Sequence, residues 1–148
     1  MTRAGRVLTA LLLLAALTAC AGPTVTAAEY RDKVAQTAKA LTGLLVTARH
    51  AVELDLGGRM LPTVTDTVVT DAERDAVSVQ TTIESRQPPD AESDRLRLRM
   101  DGPVRAATAV LTDLRIAVRS GDSGAQRAAL ARLEQPLGDL EQLSEVSA

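Results

Sequence analysis

The sequence predicts an all-α fold, an antiparallel up-down four-helix bundle over residues 26–148, and three observations predict it. Apolar residues recur at steps of three and four along four successive stretches, the period of a helix with one buried face. The stretches are separated by short punctuation built from glycine, proline, serine and aspartate. Tyr30 is the single aromatic residue, so a core must be made from Leu, Val and Ala, which suits closely packed helices better than a sheet.

The first stretch opens at Thr26 with Glu29 three residues on, the spacing of a capping box. Tyr30, Val34, Ala38, Leu41, Leu45, Ala48, Val52 and Leu56 then fall on one face, and Gly57-Gly58 supplies a stop. The second runs from about Pro62 to Ser85. Pro62 suits a first helical turn, where its missing N–H costs nothing. Leu61, Val64, Val68, Ala72, Val79 and Ile83 are expected to face the core, with Arg74 pointing away. Pro88-Pro89 then breaks the chain.

A third helix is expected from about Asp90, with Glu92 and Asp94 placed well for the positive end of its dipole. Its stripe is Leu96, Met100, Val104, Ala107, Leu111, Leu114 and Val118. Gly102-Pro103 should kink it, because Pro103 cannot donate to the carbonyl of Arg99. The segment from Arg95 to Met100 alternates with period two, as a strand would, but the flanking pattern is helical and an isolated strand would lack partners. Ser120-Gly121-Asp122 stops and restarts the chain. Ser123 with Gln126 has capping-box spacing, and Gln126, Leu130, Leu133, Leu137 and Leu140 align on a fourth helix. Pro136 should bend or split that helix.

The N-terminal stretch has a different character. Arg3 and Arg6 precede an apolar run from Val7 to Leu17, followed by Thr18-Ala19-Cys20-Ala21-Gly22. Cations, a short apolar run and small residues form the three-part pattern of an export signal. The run is short of the ~20 residues that span a bilayer as a stable helix. Leu17, Thr18, Ala19 and Cys20 resemble the lipobox of bacterial lipoproteins: a branched apolar residue, two small ones, then cysteine. That resemblance implies cleavage before Cys20, a diacylglyceryl group on its thiol and attachment to the cell membrane on the extracytoplasmic side. Residues 1–19 are then a signal peptide, 20–25 the lipidated cysteine and its tether, and 26–148 the helical domain. Cleavage after Ala21 by the ordinary secretory route is the alternative. Loss of Arg3 and Arg6 takes the net charge from −2 to −4, a balance that argues against a nucleic-acid partner. The Arg- and Ala-rich composition and the lines Gln87-Pro88-Pro89 and Arg115 to Asp122 resemble small helical lipoproteins of actinobacteria, a similarity that brings no activity with it.

Little else carries chemistry. The lone His50 falls far from the core line of its helix, and no H-x-x-x-H, E-x-x-H or C-x-x-C spacing offers a metal site. No G-x-S-x-G or glycine-rich phosphate loop is present. Asp71, Glu73 and Asp75 are read as a solvated face, and so are Arg95, Arg97 and Arg99. No cofactor and no metal are expected, and an enzyme is disfavoured. The expected role is a surface-tethered helical module for an envelope protein partner, the alternative a carrier of an apolar ligand or lipid between the helices. Ile116 and Leu54 lie opposite the core lines of their helices and form a candidate interaction patch if those helices are neighbours.

Overall fold

A computed structural model describes residues 26–146. Five helices follow one another: α1 (Ala27–Leu56), α2 (Pro62–Glu84), α3 (Ala91–Ser120), α4 (Ser123–Arg132) and α5 (Glu134–Val146). No strand occurs among the described residues.

Local chemistry sets most boundaries. The Thr26 hydroxyl accepts from the Glu29 amide at 3.2 Å, and Glu29 accepts from the Thr26 amide at 2.8 Å, so the expected box is closed. Gly58 takes φ +67° after α1 and Gly121 takes φ +66° after α3, conformations that cost a side-chain-bearing residue about 1–2 kcal/mol. Asp90 caps α3 by accepting from the Ser93 amide at 2.8 Å. α3 continues as one helix through Pro103, and the alternating segment from Arg95 to Met100 is helical, with Leu96 and Met100 buried and Leu98 exposed.

The fourth segment is two helices rather than one. Pro136 has no N–H to offer the Arg132 carbonyl, and the chain turns at Leu133 between α4 and α5. The start of α4 also differs from expectation. Asp122, not Ser123, is the cap, accepting from Gly124 and Ala125 at 2.9 and 3.0 Å. Gln126 is buried instead of closing a box, and its amide donates to the Ala117 carbonyl of α3 at 3.4 Å.

The predicted faces of α1 and α3 are the buried ones, from Tyr30 to Val52 and from Leu96 to Val118; Leu56 is partly buried against the same core. Leu133, Leu137 and Leu140 join them. α2 departs from its expected rotation. Thr65, Val69, Ala72, Ala76 and Ile83 are buried, while Leu61 is 69% and Val64 45% exposed. Two adjacent stripes, one through Val64 and Val68 and one through Thr65 and Val69, both lead to Ala72. The second is the buried one. Thr65 tolerates burial because its hydroxyl donates to the Leu61 carbonyl.

α1 and α3 pack on each other, and α2 packs on both. α5 packs on α1 and α3, and α4 mainly on α3. α2 makes no contact with α4 or α5, so the α1–α3 pair is the centre of the molecule. No helix among the described residues is long and apolar enough to cross a membrane.

Candidate functional site

Leu17, Thr18, Ala19 and Cys20 lie outside the described residues. Ile116 is 54% exposed on α3. On one flank Arg115 and Arg119 reach α2; on the other Asp113 pairs with Arg132 of α4 at 2.8 Å. Ile116 therefore stands on a ridge between two neighbours. Helical geometry turns it about 140° from Leu111, so the buried side of α3 points elsewhere. Leu54 is half-buried on α1. α1 and α3 are neighbours, but their contact does not use the Ile116 ridge.

The seam between α2 and α3 is more elaborate than the sequence suggests. Glu73 and Arg115 form a two-pronged ion pair, one prong at 3.3 Å, with side chains only 17% and 23% exposed. One turn further along, Arg119 pairs with Asp66 at 3.0 Å. Burial works to raise the Glu73 carboxyl. Hydrogen bonds from Arg115 and Thr112, with the charges of Arg115 and Arg119, outweigh it and hold the group below its ordinary value. Glu73 is thus no member of a solvated acidic face. Asp71 is, bridging to Arg74 at 2.7 Å on the outside of α2, and Asp75 lies beside the same guanidinium. The sequence signal for the seam is a spacing match: Asp66 and Glu73 lie two turns apart, facing Arg119 and Arg115, one turn apart.

Two hydroxyls inside the bundle lack partners among the described residues, those of Tyr30 and Thr70. Burial pushes the Tyr30 hydroxyl up, the Arg97 charge opposes this and the Asp94 charge adds to it. His50 is exposed, with Nδ1 4.0 Å from Glu53. Among the described residues no group of three or more His, Cys, Asp or Glu side chains is arranged to hold a metal ion.

Two neighbouring clefts open near the C-terminal turn of α2. One of about 570 Å³ is lined by Glu84, Arg86, Asp90, Asp94 and Arg97, among others. A second, of about 250 Å³, lies between α2 and α3 over Ile83, Met100 and Val104. Arg86 is half-buried there and makes no ion pair among the described residues. No single motif marks these residues, because they come from the end of one helix and the start of the next.

No family model, no curated protein and no solved structure matches the chain.

Proposed function

We propose that the chain is a lipid-anchored, extracytoplasmic lipoprotein whose helical domain serves as a tethered interaction module. The observation that carries this reading is Leu17-Thr18-Ala19-Cys20, placed directly after a charged and then apolar stretch, with the only cysteine of the chain at the acceptor position. Two or more acyl chains give a durable anchor, since each buried methylene contributes about 0.8 kcal/mol.

The domain is read as an antiparallel up-down bundle. The reading is supported by the order of the two ion pairs: Asp66 precedes Glu73 on α2, whereas their partners run backwards on α3 as Arg119 and Arg115. Short connections between successive helices fit the same arrangement. The interaction face is placed on the Ile116 ridge, where an exposed apolar side chain is flanked by charged residues already engaged with neighbouring helices.

Labelled fatty acid tests the anchor. It should enter the wild-type chain and not Cys20→Ser; persistent labelling of Cys20→Ser would overturn the assignment. Ile116→Asp tests the face. It should leave helicity and thermal unfolding unchanged while weakening self-association or partner binding. Unfolding of Ile116→Asp, or unchanged association in a stable variant, ends that part of the reading.

A further inference from the structure

A separate cleft of about 240 Å³ opens between α1 and α2, and its charge is of one sign. Lys33, Gln36 and Thr37 of α1 line it on one side, and Ser78, Thr82 and Arg86 on the other. No carboxylate lines it.

Both cations are uncommitted: neither Lys33 nor Arg86 forms an ion pair among the described residues. Lys33 uses one of its three donors on the Gln36 side-chain oxygen, at 2.9 Å. The carboxylates around the cleft are engaged or turned away. Glu29, one turn before Lys33, accepts from the Thr26 amide at 2.8 Å. Asp32 lies about 100° round α1 from Lys33 and stays out of the cleft. Glu84 accepts from Gln80 at 2.9 Å and lines the cleft on the α3 side with Arg97. Beyond Arg86, Asp94 is taken by Arg97 at 2.9 Å, and Asp90 accepts from the Ser93 amide at 2.8 Å.

Hydroxyls complete a set made mostly of donors. That of Thr82 gives its proton to the Ser78 carbonyl at 2.8 Å, while those of Thr37 and Ser78 are bound to no protein group among the described residues. An ammonium, a guanidinium and two free hydroxyls from two helices therefore border one space. A cation would be repelled there. A carboxylate would bring a single charge to two cations. A phosphate group brings nearly two charges at neutral pH and three strong acceptor oxygens, and a guanidinium engages it through parallel N–H donors. The volume is below the roughly 300 Å³ at which pockets for drug-sized ligands begin, so the space fits a group of this size.

We propose that this cleft binds a phosphate dianion, free or as the head of a monoester, between Lys33 and Arg86, with Thr37 and Ser78 donating to its oxygens. The site depends neither on the lipid anchor nor on the Ile116 ridge, so its test can fail without touching either.

Titration calorimetry of the purified full chain with inorganic phosphate is the test. Binding should be saturable at one ion per chain, and acetate should bind at least about tenfold more weakly. Lys33→Ala and Arg86→Ala should each weaken phosphate binding about tenfold. Thermal unfolding should be unchanged in both, because neither side chain holds another charged group. Arg59→Ala removes an exposed cation from the turn between α1 and α2 and should leave binding as it was. Two esters separate the sources. Displacement of inorganic phosphate by glycerol 3-phosphate identifies a soluble ligand. Retention on phosphatidylcholine vesicles that rises with added phosphatidic acid in the wild type, but not in Lys33→Ala, identifies a lipid headgroup. Either result supports the site. Phosphate binding weaker than about 10 mM overturns it, as does acetate binding equally well. So does indifference to Lys33→Ala and Arg86→Ala, or an equal loss in Arg59→Ala, which would mean attraction to bulk charge.

Discussion

The two long sides of α3 meet their neighbours in different ways. Leu111, Leu114 and Val118 turn into an apolar cluster shared with Leu41, Leu45, Leu133 and Leu140, where nearly all of these side chains are fully buried. One position further round, Thr112, Arg115 and Arg119 turn toward α2, where Glu73 and Asp66 meet the two arginines. The first side is held by removal of apolar surface from water, a strong and non-directional effect. The second is held by charged hydrogen bonds that tolerate little misalignment. The contrast explains why α2 buries only small or medium residues apart from Ile83 and still has a defined rotation. Leucines would drive it inward more strongly; the ion pairs fit only the rotation it adopts.

This difference in chemistry predicts different sensitivities. Leu114→Ala should be the most damaging change, costing about 2–5 kcal/mol in unfolding free energy, because a packed leucine leaves both lost transfer energy and a cavity. A loss below 1 kcal/mol in denaturant titration would mean that the apolar side is not close-packed.

Arg115→Ala should cost less, about 1–3 kcal/mol, since it leaves the half-buried Glu73 carboxylate without its main partner. A double-mutant cycle with Glu73→Gln should show coupling, as expected of residues in one pair. The same pair predicts an acid response. The folded pKa of Glu73 lies below its ordinary value, so its contribution is fully present above about pH 4.3 and fades as pH falls through the lower, folded value. Stability of Arg115→Ala should therefore fall less steeply than wild type between pH 5 and the acid limit, roughly pH 2. Parallel curves would show that the seam does not titrate through Glu73.

Arg119→Ala should have the smallest effect, under about 1 kcal/mol, because its pair with Asp66 is more than one-third exposed on both sides and screened by water and salt. A loss as large as that for Arg115→Ala would mean that the two pairs act as one network and that exposure does not separate them.

Signals confined to a few neighbouring residues were legible from the chain alone. The Thr26 and Glu29 box, the Gly57-Gly58 and Gly121 stops, the Asp90 start and the buried faces of α1 and α3 all rest on interactions within about one helical turn or on a single strong period. The break caused by Pro136 belongs with them, since one missing donor is enough. Tertiary structure decided what depends on partners distant in sequence. The rotation of α2 is such a case: its two stripes overlap at Ala72, the more apolar one through Leu61 and Val64 is left exposed, and the rotation adopted lets Glu73 and Asp66 meet arginines 42 and 53 residues away. Gln126 is another, drawn from an expected cap to a carbonyl of the preceding helix. The clefts around Arg86 are a third, assembled where two helix ends meet. Helical period and capping act along the chain and are written in it. Which face is covered, and which charge is left without a partner, is settled only when the helices touch.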